Sequence, residues 1–297
     1  MKILIFGSEG FIGKHSILHF LSKGHDVTGV DLLDLKESSY EYRQISRLKP
    51  DFAQFFRLQQ YDVCINAAGS GSVPMSFERP LNDFEANTFD VFNLLESIRQ
   101  LNPRCKYINF SSAAVYGNPK SLPISEESAV SPLSPYGWHK YYSELLCKQY
   151  AALYGLQTCS VRPFSVYGPG LKKQLFWDTF QKSKKSKDIV LFGTGDESRD
   201  FIYIDDLIGA VDYLLINGPL NGEALNIASG EETTIRYITK LFCQKLNPLL
   251  NVTFNGISKQ GDPLNWKADI TKLTELGFRK KVDIESGLDN LVKWLKI

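Results

Sequence analysis

Lys2 to Phe6 is a short apolar run stopped by Gly7, and residues 11 to 22 then place Phe11, Ile12, Ile17, Leu18 and Leu21 at helical spacing. That pattern predicts a strand, a tight turn and a helix. Val27 to Val30 is a second short run ending at Asp31; Val63 to Asn66 and Tyr107 to Phe110 have the same texture, with helical spacing between them near 81 to 101. Strands alternating with helices call for a parallel sheet covered on both faces. Beyond Pro119 the chain is rich in turn formers (Pro123, Ser125, Pro132, Ser134, Pro135) until a helix from about Tyr136 to Leu153, after which Thr158 to Arg162 reads as one more buried strand. The last third mixes short strands (Ile189 to Phe192, Phe201 to Ile204, Ala224 to Ile227) with helices near 205 to 216, 234 to 246 and 284 to 295. The expectation is a doubly wound α/β protein. Residues 1–164, with segments returning near 200–228, build a nucleotide-binding unit; residues 165–297 mainly build a smaller lobe, with a crevice between them.

Two constellations carry chemistry. Gly7-Ser8-Glu9-Gly10-Phe11-Ile12-Gly13 sits where the first strand meets the first helix, and Asp31 follows eighteen residues after Gly13 at the end of the second strand. Glycines there permit a tight turn and close approach of backbone amides to a pyrophosphate, whose charge a helix N-terminus favours. Asp31 is placed to hold the adenosine ribose hydroxyls and to repel a 2′-phosphate, which favours NAD over NADP. In the second constellation Tyr136 and Lys140 lie four apart on one helix face, so the ammonium can favour the phenolate and make Tyr136 an acid/base. Ser112 ends the strand Asn109-Phe110-Ser111-Ser112, where the same topology puts it in the crevice beside a reacting oxygen.

Composition removes other classes of function. Thirty-four basic against 33 acidic side chains give a net charge of +1, which argues against a nucleic-acid partner. No stretch approaches the ~20 apolar residues of a membrane span, and the opening apolar run is too short for a signal peptide. A soluble, cytoplasmic protein without a membrane partner is expected. The five Cys are widely spaced with no Cys-x-x-Cys pair and read as reduced core residues. His15 and His19 lie four apart, but no third ligand follows at matching spacing; they read as ordinary helix positions, with no metal site. His139 falls off the face shared by Tyr136 and Lys140, and Glu144 continues that face as a structural ion-pair partner. Lysines 172, 173, 182, 184, 185 and 187 read as a solvated face whose first pair can approach a diphosphate. Phe176 and Trp177 beside them read equally as lobe core or as a platform for a sugar or base.

Nearly the whole chain resembles the extended short-chain dehydrogenase/reductase superfamily, in its NAD-dependent nucleotide-sugar epimerase/dehydratase branch. The resemblance is carried in order by the glycine motif, Asp31, Asp62-Val63-Cys64-Ile65-Asn66-Ala67-Ala68, Asn87, Ser111-Ser112-Ala113-Ala114-Val115-Tyr116-Gly117, Pro123-Ile124-Ser125-Glu126, Ser134-Pro135-Tyr136 with Lys140, Arg162-Pro163-Phe164-Ser165-Val166-Tyr167-Gly168-Pro169, Arg199-Asp200-Phe201 and Gly261-Asp262-Pro263. It implies a Rossmann domain with a C-terminal sugar-nucleotide lobe. It also implies Tyr136 as acid/base, Lys140 as its partner and nicotinamide-ribose ligand, and Ser112 as the contact to the substrate C4 oxygen. Gly7, Gly10, Phe11, Ile12, Gly13, Asp31, Ala67, Ala68 and Asn87 would line the cofactor. Arg199 would neutralise the substrate diphosphate, with Ser165, Lys259 and Asp262 at the same site. A homodimer built on the Tyr136 helix is implied as well, with Tyr141, Leu145 and Leu146 as candidates for its face.

Departures from the branch shape the expected reaction. Where its dehydratases carry an acidic pair after the Ser/Thr, this chain has Ala113 and Ala114, which speaks against elimination of water and against decarboxylation. Ser165 replaces a usual asparagine, Lys259 a common arginine and Asn66 a frequent histidine, and the segment Tyr40 to Arg47 lacks the expected adenine-side aspartate. The reading is NAD-dependent C4 epimerisation of a nucleotide-diphosphate sugar through a transient 4-keto sugar. The alternatives are an NAD(P)H-dependent 4-ketoreductase of a 4-keto-6-deoxy nucleotide sugar and a non-catalytic dinucleotide-binding protein.

Overall fold

In a computed structural model, which describes residues 1–258 and 261–297, the strands follow the chain as β1 (Lys2–Phe6), β2 (Asp26–Asp31), β3 (Glu41–Gln44), β4 (Val63–Asn66), β5 (Lys106–Phe110), β6 (Thr158–Pro163), β7 (Ser165–Tyr167), β8 (Asp188–Leu191), β9 (Ser198–Tyr203), β10 (Asn221–Ile227), β11 (Glu232–Thr234) and β12 (Asn251–Phe254). Seven of them form one parallel sheet in the order β10-β6-β5-β4-β1-β2-β3. Its central strands are buried on both faces: β4 has no exposed residue, and Ile3, Leu4 and Ile5 of β1 are fully covered. Such continuous apolar runs belong to a sheet with helices on both sides, as their sequence requires. Strand order reverses between β1 and β4, so the crevice beyond their carboxyl ends is the place for a ligand.

Two features went beyond the hydrophobic pattern. β3 is an edge strand of sequence Glu-Tyr-Arg-Gln with no buried residue, and the smaller lobe carries two further sheets, β11-β9-β7 and β8-β12. β10 returns to the large sheet beside β6, with the helix Ile204–Asn217 before it packed against the helix Phe11–Ser22. A single apolar cluster runs from Ile3, Ile5 and Ile65 of the large sheet through Leu207, Val211 and Tyr167 to Phe242 and Leu291. The lobes therefore share a core and hold the crevice walls in fixed register.

The long helix Pro135–Tyr154 fixes the crevice. Ser134 caps it by accepting from the Gly137 amide at 3.2 Å, Pro135 opens it, and Gly155 ends it at φ 69°. A side chain at Gly137 would meet the Ala114 carbonyl oxygen, 2.7 Å from where its Cβ would stand. The missing Cβ lets the first turn of this helix lie directly against the turn that follows Ser112.

Behind it stands a buried polar network. Arg162 of β6 donates through Nε and Nη2 to the two Glu144 oxygens at 2.9 and 2.6 Å, and through Nη1 to the Tyr116 hydroxyl at 2.7 Å. Tyr116 donates on to Asn226 Oδ1 at 2.7 Å. Glu144 is thus the ion-pair partner its sequence position suggested. All five cysteines are buried and free, and among the described residues no group of His, Cys, Asp and Glu could hold a metal ion. His15 and His19 instead contact Asp205 and Asp212 on the neighbouring helix. No described helix is long and apolar enough to cross a membrane.

Candidate active site

The glycine motif folds into a cradle between β1 and its helix. Gly7 has φ 73°, and a Cβ on Gly13 would stand 2.0 Å from the Gly7 carbonyl oxygen. A Cβ on Gly7 would itself strike the Ala67–Ala68 backbone at 2.6 to 2.7 Å. Three segments thus meet through backbone alone at the start of a helix, the arrangement that offers amides to a pyrophosphate. The Asp31 carboxylate is anchored beside it, accepting from the amides of Glu9 at 2.9 Å and Leu32 at 2.7 Å.

Tyr40 closes the same turn from β3's side, its hydroxyl donating to Glu9 Oε1 at 2.6 Å. Its ring lies so close to Gly29 that a Cβ there would fall 2.3 Å from Tyr40 Cε2. Asn66 has a supporting position: its amide donates to the Tyr107 hydroxyl and its oxygen accepts from the Ala68 amide.

Asn87 lies in a π-helical turn, Glu85–Phe89, inside the run expected to be helical from 81 to 101. π turns recur at functional sites because they re-aim side chains. Asn87 is buried, and neither its amide nitrogen nor its oxygen has a hydrogen-bond partner. Its oxygen lies 2.5 Å from where a Gly69 Cβ would be, at the mouth of the same cradle. A buried amide with both ends unpaired costs stability unless a ligand completes it. The unpaired amide and the backbone cradle fit a bound dinucleotide.

Ser112 ends the strand segment after β5 and caps the short 3-10 turn Ala113–Val115, accepting from the Ala114 amide at 3.1 Å. Opposite stands Tyr136, whose phenol is pushed above its ordinary range first by burial; the Ser112 hydroxyl favours the phenolate and Asp83 opposes it. Lys140 is buried, donates to the Phe110 carbonyl at 2.8 Å and places its Nζ 6.0 Å from the Tyr136 ring centroid. Burial pushes the Lys140 pKa down to about 8. The structure thus brings Ser112, Tyr136 and Lys140 to one place. Burial moves the Tyr136 phenol in the direction opposite to the one expected from the Tyr136–Lys140 spacing.

The sequence pattern missed Asp83, which lies almost wholly buried beside Tyr136 and Lys140 and 2.6 Å from His139 Nδ1. His139 pairs with this carboxylate.

Arg199 on β9 donates to the carbonyls of Ser198 and Leu264 at 2.8 and 3.1 Å and lies over the Trp266 ring. Burial lowers its pKa, and Asp262 and Glu197 oppose that shift, so Asp262 lies within electrostatic reach of it. Ser165, half-buried at the start of β7, pairs with Phe201 of the same strand β9. The loop at Gly261 leans on Val73, Phe77 and Ser134, the cap of the Tyr136 helix. Lys259 lies outside the described residues. Phe176 is core, in ring contact with Tyr167, Phe201 and Phe242, whereas Trp177 packs on Phe180 and Trp294.

Comparison with known proteins gives the arrangement its relatives. The NAD dependent epimerase/dehydratase family model matches residues 3–228. A putative UDP-glucose 4-epimerase of Methanocaldococcus jannaschii is 28% identical, over 99% of this chain and 98% of that protein. The UDP-glucose 4-epimerase of Thermotoga maritima, solved with UDP-glucose, superposes with a TM-score of 0.91 at 27% identity, covering 100% of this chain and 99% of that one. The UDP-glucuronic acid 4-epimerase of Bacillus cereus, solved with UDP-glucuronic acid and NAD, gives 0.89 at 28% identity over 100% and 99%.

Proposed function

The chain belongs to the NAD dependent epimerase/dehydratase family, and from that premise we propose that it inverts C4 of a nucleotide-diphosphate sugar, reusing one tightly held NAD. The observation that carries this is the meeting of Ser112, Tyr136 and Lys140 beside a dinucleotide cradle, with Ala113 and Ala114, and no acidic side chain, directly after Ser112. Acid/base machinery for a hydroxyl is present, and that for removing water from the neighbouring carbons is not.

NAD, when bound, supplies what no side chain here can, uptake and return of the C4 hydrogen with its electron pair. Gly7, Gly10, Phe11, Ile12 and Gly13, with Ala67 and Ala68, would hold its pyrophosphate, Asp31 its adenosine ribose and Asn87 its nicotinamide half. Tyr136, deprotonated, takes the proton from the sugar O4 and returns it after the ring has turned. Ser112 hydrogen-bonds that oxygen in both halves of the reaction. Lys140 holds its charge near the phenol and binds the nicotinamide ribose. Arg199, a planar and permanently charged donor, anchors the diphosphate with Ser165, Lys259 and Asp262 around it, so that the hexose alone can rotate.

Two measurements test this. Protein purified without added cofactor and then denatured is expected to release near one NAD(H) per chain. The intact protein, given UDP-hexoses and UDP-hexuronates but no cofactor, is expected to form the C4 epimer. A protein that emerges empty and reduces a 4-keto sugar nucleotide with added NADH or NADPH would instead be a reductase.

We also propose a homodimer. Trp138, Tyr142 and Leu145 form an exposed stripe at spacings of four and three on the Tyr136 helix, and Phe89 and Phe92 stand exposed on the adjoining segment. Tyr141 and Leu146, the other residues suggested for this face, are turned toward core clusters. In sedimentation velocity the wild type is expected to run as a dimer, and a protein carrying both Phe92→Glu and Leu145→Glu as a monomer that still releases NAD. A monomeric wild type at micromolar concentration would refute the dimer.

A further inference from the structure

Four buried side-chain polar atoms among the described residues have no hydrogen-bond partner, and three of them lie on one short segment: Asp83 Oδ1, Asn87 Nδ2 and Asn87 Oδ1. Asp83 is near the end of the helix Pro80–Phe84 and Asn87 is in the π turn that continues it, so the two stand on adjacent turns. Both elements pack against the helix that carries Tyr136 and Lys140. Asn87 lies at Gly69, the mouth of the dinucleotide cradle. Asp83 needs a different explanation.

Its Oδ2 lies 2.6 Å from His139 Nδ1, and the Thr88 hydroxyl, from the π turn, donates to the His139 carbonyl at 2.9 Å. Asp83 is thus fixed against the residue that directly precedes Lys140 and follows Tyr136 by three. Only 3% of Asp83 and 6% of Lys140 is exposed. The Lys140 ammonium donates to the Phe110 carbonyl, a neutral acceptor. A buried carboxylate with an open oxygen and a buried ammonium on a neutral acceptor each persist at a cost that the other's charge relieves.

The other carboxylates on this helix and on the elements packed against it are committed or exposed. Glu144 is held by Arg162 and Ser111, Asp90 by Arg47 and Glu96 by Arg99. Glu78, Glu85 and Glu223 are exposed. Burial acts first on Lys140 and lowers its pKa; Asp83 is the largest influence the other way, ahead of Glu144, while Lys173 of the smaller lobe adds to the lowering. The same carboxylate acts on Tyr136, where it raises the phenol.

We propose that Asp83 is a positioning residue of the catalytic centre, the counter-charge of Lys140: braced by His139 between the two helices, it keeps that ammonium charged beside Tyr136. This rests on the reading of Tyr136 and Lys140 as the acid/base pair. A fixed negative charge makes nearby protons harder to lose, so its removal moves Lys140 and Tyr136 the same way, to lower pH.

The test is titration of both groups in the NAD-loaded protein without substrate, which separates it from the epimerase reading. Lys140 is followed by NMR as the labelled lysine Cε signal that Lys140→Arg removes, and Tyr136 as the tyrosinate absorbance that Tyr136→Phe removes. Asp83→Asn keeps the shape and an acceptor for His139 but loses the charge, and is expected to lower both midpoints by about one pH unit, the order expected for a partly screened unit charge. Asp83→Ser, smaller and also neutral, is expected to do the same, with NAD release near one per chain in both variants. In turnover at saturating nucleotide sugar, the acid and alkaline limbs of the kcat profile should both move down. A Lys140 midpoint unmoved in both variants would overturn the proposal. So would a loss of turnover with both limbs in place, or a failure of both variants to fold, since either would make Asp83 a brace between helices and nothing more. Shifted midpoints in a protein that forms no C4 epimer would refute the epimerase reading and support this one.

Discussion

Tyr136→Phe is expected to lower turnover at least ~100-fold, the lower range for loss of acid/base catalysis, while the purified variant still carries near one NAD per chain. The substitution removes one oxygen and leaves the ring. That ring is partly buried in the first turn of the long helix, with the Lys140 ammonium 6.0 Å from its centroid, so packing and the cation contact survive. Lys140 keeps its bond to the Phe110 carbonyl, and the cradle at Gly7 to Gly13 is on other elements. What disappears is the group that exchanges a proton with the sugar oxygen. Rates with saturating nucleotide sugar, the NAD content of the same preparation and its thermal midpoint separate loss of chemistry from loss of fold. A variant that turns over at near the wild-type rate would remove Tyr136 from the mechanism.

How far the site could be read from residues alone depended on how local its causes were. The β1 strand, the glycine turn and the helix behind it are encoded in adjacent positions, and the structure matches that reading closely. The helix bearing Tyr136 was legible as the run that follows the turn formers Ser134 and Pro135, and the structure shows Ser134, Pro135 and Gly155 at its two ends. β3 was silent because an edge strand with no buried residue shows no apolar alternation. The π turn at Asn87 was equally silent, since one extra residue in a helical turn leaves the flanking periodicity nearly intact.

Non-local partners were the hardest to read. Glu144 could be recognised as half of an ion pair, but Arg162 could not be named as the other half, because the pairing depends on β6 lying beside β5. Asp83 meets the Tyr136 helix at His139 from a segment 53 residues before Tyr136. No spacing within that segment points there. The Lys172–Lys173 pair shows the limit plainly: on the extended backbone at Lys173 two identical neighbours point to opposite sides.

The other large expected effect is on stability, at Arg162→Met. The wild-type guanidinium is almost wholly buried and satisfies both Glu144 oxygens, the Tyr116 hydroxyl and the Glu126 carbonyl. Methionine fills much of the space but donates nothing, so Glu144 is left as a buried carboxylate with the Ser111 hydroxyl as its remaining donor. Removing one member of a buried ion pair costs about 3 to 5 kcal/mol because the other charge stays uncompensated. Denaturant unfolding should show that loss as a lower midpoint with an unchanged slope. The double variant Arg162→Met with Glu144→Leu removes both charges and is expected to recover most of the loss, since apolar replacement of a whole buried pair is often neutral. The Ser111 hydroxyl and Ser112 end the strand that carries the active site, and Ser111 bonds Glu144 directly. The single variant should therefore also lose turnover even where it remains folded. A single variant within about 1 kcal/mol of wild type would mean that water reaches Glu144. The network behind the crevice would then not be what holds the Tyr136 helix against β6.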